Sequence, residues 1–417
     1  MSERQRLVIL GGGFAGVNVA KQVLKMGRGN EEVMLISANE YHTFTPWLYE
    51  IAAESADEHE RGEKRMMAKS ADIPLKIIDE RIKVRLGVVT GLEIDHKQVV
   101  LADGHTVHYD VLVIALGSET AYFGIPGLRE NSLALKSTYE AVAIRQKLAV
   151  LVERVKRGDA ATINIVLGGA GPSGVELAAE LATMAQGLVR RGVIGRNSLK
   201  ITLVDGAERV LNMMAPKVSR KAEHRLRVLG IEVVLGARIN EVRSGEVLVK
   251  DGAGMKALPS DCTIWMGGVQ PTSTLKSFGL PKDQRGRLLV DDKFEVQGSD
   301  SIFALGDAAV YVDEVTKQSL PQTAQAAENA APFVARNVLL ALRRRQLKPY
   351  KFVKKWPYSI AIGGSFGILG YGNLTLGGWV GYVIRRLADL RYFFRLLPFA
   401  VAVKFWWRGV LEYRKND

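Results

Sequence analysis

The 417-residue chain has a single cysteine, Cys262, which excludes an intrachain disulfide and any chemistry that needs a thiol pair. Ahead of Thr263-Ile264-Trp265 in an expected strand, Cys262 reads as a small buried hydrophobe. The six histidines do not gather at ligand spacing. His105 and His108, three apart in an expected strand, would face opposite sides of a sheet, and no metal site is read from them. Acidic residues are scarce in one place. Residues 1–340 carry 42 Lys+Arg and 41 Asp+Glu, whereas residues 341–417 carry 15 and 3, so nearly all of the net charge of +13 sits in the last fifth. That stretch is also rich in Trp, Phe and Leu, which points to a membrane surface rather than a nucleic-acid groove, for which no module is present. One long charge-free run exists, Trp356 to Ile384, but its 29 residues include eight glycines and Pro357. Each glycine costs a helix about 1 kcal/mol, so the run reads as short strands at 359–362, 366–371 and 373–376 rather than as a span. The four apolar residues Leu7 to Leu10 cannot supply the ~7–15-residue core of a signal peptide, and none is expected.

Two glycine-rich turns stand 158 residues apart, Gly11-Gly12-Gly13-Phe14-Ala15-Gly16 and Gly169-Ala170-Gly171-Pro172-Ser173-Gly174. The first follows Leu7-Val8-Ile9-Leu10, the second Ile163 to Leu167, and helical spacing trails both. Strand, glycine turn and helix together are the context in which a pyrophosphate rests on the N–H groups of a helix N-terminus. Two dinucleotide cradles are therefore expected in one chain. Further strands are expected at 33–36, 84–89, 98–101, 111–115, 200–204 and 301–305, and a helix from Thr323 to Leu342. A late strand ending in Gly306-Asp307 suits the first unit, so a first nucleotide domain interrupted by a second is expected. At 417 residues the chain suits two or three domains.

Several motifs in order carry a family resemblance: the first turn, Tyr41-His42-Thr43-Phe44-Thr45-Pro46, Ile114-Ala115-Leu116-Gly117-Ser118, Tyr122 to Gly127, Gly168 to Glu176, Trp265 to Val269, Phe303 to Ala308, and Leu320 to Gln325. The chain resembles the flavoproteins with two dinucleotide-binding domains and, within them, the type II, non-proton-pumping NADH:quinone oxidoreductases. The resemblance implies an α/β fold of two Rossmann-like dinucleotide-binding domains, the FAD domain interrupted by the NADH domain, plus a C-terminal membrane-anchoring region. Its boundaries are 1–118 and 281–345 for FAD, 119–280 for NADH and 346–417 for the tail. FAD would be held by Gly11, Gly13, Phe14, Ala15, Gly16, Ser37, Pro46, Ala115, Gly117, Gly306, Asp307, Thr323, Ala324 and Gln325. NADH would be held by Gly169, Gly171, Pro172, Ser173, Gly174, Glu176, Asp205, Gly267 and Gly268.

Two departures from the pattern stand out. Ser37 occupies the place of the acidic residue expected at the end of the second strand, and a hydroxyl bonds a ribose more weakly than a carboxylate. Asn329 stands where a second glutamine is expected four residues after Gln325. Asp205 would accept the 2′-hydroxyl of NADH and repel the 2′-phosphate of NADPH, unless Arg209 reaches the same pocket. Glu176 and Gln325 are the candidate catalytic residues, and Gln325 with Asn329 the candidate quinone contacts. Glu176 is expected in the first turn of its helix, where the competing reading is compensation of the helix dipole. For Asp307 the competing reading is a helix cap. The helix from Thr323 would turn its positive end to the flavin edge and ease acceptance of a hydride.

In the tail, Val380, Val383, Leu387, Leu390, Phe394 and Leu397 form one helical stripe, with Arg385, Arg386, Asp389, Arg391 and Arg395 on its sides and back. After Pro398 a second stretch places Lys404, Arg408 and Glu412 on one face, and Trp406, Trp407 and Val410 at headgroup level. The resemblance thus implies a monotopic enzyme on the cytoplasmic face of the cell membrane, passing electrons from NADH through FAD to a membrane quinone, with no nucleic-acid partner. The stripe would also serve a homodimer. Competing activities are a sulfide:quinone or ferredoxin-type reductase, which the cysteine count and the tail disfavour, and a flavoprotein that signals NADH binding to a partner protein.

Overall fold

The computed structural model describes residues 5–54, 71–353, 356–372 and 374–413, with side chains as far as residue 410. Asn373, expected to open a strand, and the Glu412 side chain lie outside these.

The chain opens with β1 (Gln5–Leu10), α1 (Phe14–Met26) and β2 (Glu31–Ser37), followed by the short α2 (Leu48–Ala52), β3 (Lys83–Leu86) and β4 (Val111–Ile114). The last four residues of β1 and all of β4 are buried, as befits strands covered on both faces of a parallel sheet. A second unit follows: β5 (Leu133–Ala134), α3 (Thr138–Lys156), β6 (Ile163–Gly168), α4 (Pro172–Arg190), β7 (Leu199–Asp205), β8 (Glu232–Leu235) and β9 (Cys262–Trp265). A capping box starts α3, where the Ser137 hydroxyl accepts the Glu140 N–H and the Glu140 carboxylate takes the Ser137 N–H. The chain then returns to the first unit with β10 (Ile302–Ala304) and α5 (Ala324–Leu342).

Among the described residues the two main sheets are all parallel, in the orders β10-β4-β1-β2-β3 and β5-β9-β6-β7-β8. In each, the strand that feeds the glycine turn has its successor on one side and a later strand on the other. That reversal opens the crevice in which α/β sheets bind ligands. The second sheet lies wholly between strands of the first, as the late Gly-Asp strand implied.

Two expectations need correction. The strand expected at 84–89 is two elements: β3 ends at Leu86, the Gly87 N–H takes the Ser37 carbonyl at 2.9 Å, and a separate strand begins at Val89. His105 precedes its strand, Thr106–His108, rather than sharing it, and both histidines are exposed.

The tail forms an antiparallel sheet of β11 (Tyr358–Ala361), β12 (Gly367–Tyr371) and β13 (Leu374–Gly378), then α6 (Trp379–Leu396) and α7 (Phe399–Tyr413). No helix among the described residues is long and apolar enough to cross a membrane. Cys262 is buried in β9, and burial pushes its thiol up to about 12, which makes it inert.

Candidate active site

The two glycine turns repeat one another in steric detail. Gly11 has φ +106°, and a Cβ there would lie 2.3 Å from the Ala115 carbonyl oxygen; Gly169 has φ +110° and would meet the Met266 carbonyl at 2.5 Å. The last glycines, Gly16 and Gly174, would each place a Cβ 1.9 Å from the carbonyl of the first glycine in the same turn. Only the middle glycines, Gly13 and Gly171, face open space. Each of these is the N-cap of its helix, with no side-chain cap and no acidic residue in the first turn. The turns are thus tight against protein on the inside, while outside they offer helix N-terminal N–H groups and the positive end of a dipole. A dinucleotide pyrophosphate fits both. Phe14 contributes its backbone there, because its ring packs on His42 and Tyr392 at 4.8 and 5.1 Å. Ala15 sits below Gly306, whose added Cβ would lie 3.2 Å from the Ala15 methyl. Pro172 fills the first position of α4, where a missing N–H costs nothing, and Ser173 follows it.

At the strand ends the two units differ. Ser37 Oγ accepts the Asn39 N–H at 3.2 Å beside Gly12. Asp205 accepts two backbone N–H groups, from Ala170 of the second turn at 2.6 Å and from Ala207 at 2.7 Å. These hold the carboxylate against the turn while leaving acceptor positions for a ribose. Arg209 does not compete for that place: its guanidinium donates to Asn212 at 3.2 Å and to Ser219 at 3.4 Å.

Asp307 lies in the short 306–308 turn, and its side chain does not cap it. Its Oδ2 accepts the Ser118 hydroxyl at 2.5 Å, and Lys136 Nζ lies 2.6 Å from that hydroxyl and 3.7 Å from the carboxylate. Ser118 was visible as the end of the Ile114–Ser118 motif, whereas Lys136 had no local signal. Gly117, beside Ala115, has φ +72° and open space. Packing requires glycine at 267, since a Cβ there would strike the Trp265 ring at 2.2 Å, and Gly268 backs onto Phe123.

Thr323 caps α5 by accepting the Ala326 N–H at 3.2 Å, so this third helix start is closed by its own side chain. Ala324 and Gln325 form its first turn. One turn on, Asn329 lines a cavity of about 550 Å³ with Lys21, Glu328, Phe394 and Arg395, and Gln325 lies outside that lining.

Glu176 is the fifth residue of α4, one place beyond the first turn where it was expected. It sits partly exposed at the junction of α4 with the tail, where its carboxylate accepts the Ala361 N–H at 3.3 Å. Arg385, Glu50 and Asp389 act on it. Burial pushes the carboxyl up to about 7 against the opposing pull of Arg385. A carboxylate that merely offset a helix dipole would be held ionised, so the surroundings oppose that reading. A raised value means that the folded protein binds this proton more tightly than the unfolded chain, and stability falls as pH rises from about 4.5 through about 7. Glu176→Gln removes this contribution. The melting temperature of the wild type is expected to decline relative to the variant between these pH values, and parallel curves would contradict the assignment.

The tail corrects the sequence reading most. Arg386 and Asp389, expected on the sides and back of α6, are 8% and 3% exposed and point into the body. Arg386 pairs with buried Glu50 at 2.9 Å, and Arg385 with Asp389, which also takes the Trp47 indole N–H at 3.0 Å. Pro46 accepts from Arg385 at 3.3 Å. Trp406 turns inward and donates to the Arg386 carbonyl at 2.8 Å, Val410 is half-buried, and Leu397 is buried. The outward face carries Leu374, Trp379, Val380, Leu387 (51% exposed), Phe394, Phe399 (73%) and Trp407, with Phe394 and Phe399 stacked at 5.1 Å. Arg385, Arg386 and Asp389 thus join Phe393 and Leu396 on the inner side of α6 while large apolar side chains stay exposed outside, which departs from the usual pattern of a soluble helix.

The pyridine nucleotide-disulphide oxidoreductase family matches residues 5–331. A type II NADH:quinone oxidoreductase of Haemophilus influenzae is 30% identical over 379 residues, 84% of each chain. That of Mycobacterium tuberculosis is 28% identical over 408 residues, 93% of this chain and 84% of its own. The fold is shared with NDH2 from Plasmodium falciparum in complex with NADH (TM-score 0.78, 18% identity, 99% and 97% covered). It is shared too with the sulfide:quinone oxidoreductase of Aquifex aeolicus (0.76, 18%, 99% and 92%). The chain belongs to the pyridine nucleotide-disulphide oxidoreductase family and, within it, to the type II NADH:quinone oxidoreductases.

Proposed function

We propose that this protein is a membrane-surface NADH:quinone oxidoreductase that carries FAD on its first glycine turn and takes NADH on its second. The carrying observation is the steric repetition of the two turns, each tight inside and open over an uncapped helix start. FAD, when bound, supplies the two-electron chemistry that joins nicotinamide to quinone. The chain's own residues bind, orient and tune.

Gly13 and the first turn of α1 present N–H groups to one pyrophosphate, and Gly171, Ser173 and Gly174 to the other. Asp307, held by Ser118 and Lys136, offers a carboxylate to sugar hydroxyls. Asp205 selects NADH, because its fixed carboxylate accepts a 2′-hydroxyl and repels a 2′-phosphate. The start of α5, with Thr323, Ala324 and Gln325, would turn a positive helix end toward the flavin edge. Glu176, which holds a proton near neutral pH, would act at the nicotinamide end, and Gln325 and Asn329 would contact the quinone. The division into FAD (1–118 and 281–345), NADH (119–280) and tail (346–417) segments follows the same reading.

The outward apolar face of α6 and α7 seats the enzyme on the cytoplasmic face of the membrane as a peripheral protein. Each well-buried Leu or Phe contributes about 1.5–3 kcal/mol to such seating. A sulfide-oxidising alternative lacks its thiol pair, since Cys262 is single and buried. The test is anaerobic mixing of the full chain with NADH and then a quinone analogue. The flavin band is expected to bleach and then return. Bleaching without return, whatever the quinone offered, would remove the quinone from the proposal.

A further inference from the structure

The helix that bears the exposed apolar face also reaches the first glycine turn. Along one side of α6, Arg385 donates to the Pro46 carbonyl at 3.3 Å and Asp389 accepts from Trp47 at 3.0 Å. Phe393 packs on the rings of Phe44 and Trp47 at 4.9 and 5.1 Å. The fourth contact is Tyr392, whose hydroxyl lies 2.8 Å from His42 Nε2.

His42 passes that contact on, because its Nδ1 lies 3.0 Å from the Gly12 carbonyl oxygen. A carbonyl can only accept, so Nδ1 carries the proton and Nε2 receives the Tyr392 O–H. Burial brings the imidazole down to about 4, which keeps it neutral and the direction of the relay constant. The rings of Phe14 at 4.8 Å and Tyr392 at 6.0 Å pack against it. Across the trans peptide that follows, drawing the Gly12 carbonyl toward His42 aims the Gly13 N–H to the opposite side. Gly13 is the N-cap of α1, with open space where a Cβ would stand.

We infer that Tyr392 and His42 are positioning residues for the first dinucleotide, relaying the seating of the tail helix to a peptide of the turn that faces its phosphates. The inference rests on the reading of the first turn as the FAD site. Its consequence is that the membrane-facing helix and the flavin cradle form one cooperative unit, although the relay residues are 350 positions apart. A loosened tail is felt as a loosened flavin.

Tyr392→Phe in the full-length protein tests this, because it keeps the ring that stacks on Phe44 at 5.2 Å and removes only the hydroxyl, with its contacts to His42 and to Asn18. Protein stripped of flavin is titrated with FAD by flavin fluorescence, and separately with NADH. The FAD dissociation constant is expected to rise about tenfold, the size of one lost hydrogen bond. The visible band of bound flavin should shift while NADH affinity holds, and the melting temperature should fall only by the modest amount that one unpaired buried nitrogen costs. His42→Phe, which cuts both links, is expected to go further in the same direction. Unchanged FAD affinity and an unchanged band in Tyr392→Phe would overturn the inference. So would a parallel loss of FAD affinity, NADH affinity and melting temperature, which marks general loosening. Failure of the wild type itself to take up FAD would instead remove the cofactor reading, and shows before any variant is made.

Discussion

Gly11→Ala is expected to yield colourless protein of lowered melting temperature, whereas Gly13→Ala is expected to fold as the wild type and yet retain little flavin. The two glycines lie two residues apart in one motif, and sequence pattern alone treats them alike. Gly11 has φ +106°, and its Cβ would stand 2.3 Å from the Ala115 carbonyl oxygen. The obstacle is backbone of β4's end, which cannot step aside without disturbing the sheet, and the backbone conformation alone costs about 1–3 kcal/mol for a non-glycine residue. The Gly11 N–H also holds the Ile36 carbonyl at 2.8 Å, so displacement of the turn strains β2 as well. Gly13 has φ −78° and ψ −175°, which alanine adopts freely, and nothing lies within 4 Å of its added Cβ. The methyl therefore fits the protein and occupies only the space that the proposed pyrophosphate would take. Flavin per chain after gentle extraction, read beside the melting temperature, separates the two effects. A Gly13→Ala protein as yellow as the wild type would mean that no phosphate approaches that turn.

Replacing Leu387 and Phe394 together by Glu is expected to release the protein from lipid vesicles while leaving its fold intact. Both side chains are on the outward face of α6, and removal of their burial in lipid forfeits about 3–6 kcal/mol, at least a hundredfold in partitioning. Deleting α6 and α7 would not test the same idea. Such a deletion would strand Glu50, whose partner is Arg386, and would uncover Trp47, against which Gly409 packs. Loss of one partner from a buried ion pair costs about 3–5 kcal/mol. The expected instability would then be mistaken for loss of the membrane contact. Vesicle co-sedimentation of the double variant, with a thermal melt as control, gives a clean reading; full retention on vesicles would return the apolar face to a dimer interface.

Much of the site was legible because its causes are local. A short apolar strand, glycines at fixed spacing and a helical run specify a tight turn onto a helix start within a few residues, and both turns lie where the motifs put them. Asp205 and Thr323 were legible for the same reason, each sitting at the end or the start of an element that its neighbours define. Lys136 was not, since it meets Ser118 and Asp307 only after β5 has joined the second sheet. Glu176 was placed one residue too early in its helix. More importantly, the groups that set its proton affinity come from α2 and α6, far away in sequence. The stripe of α6 was found except at Leu397, which is buried past the helix end, yet the 3.6-residue period says which side chains share a face and nothing about the fate of the opposite face.

The sequence by itself determined the two glycine turns at helix starts, the insertion of one sheet within the other, and a tail of short strands followed by two amphipathic helices, since each of these follows from backbone sterics and periodicity over a few residues. The tertiary structure alone decided that Arg385 and Arg386 of α6 turn inward, that Glu176 meets charges from α2 and α6, and that Tyr392 touches His42 behind the first glycine turn. Such contacts join residues hundreds of positions apart, and the low dielectric that gives them their strength exists only once the tail has closed over the body.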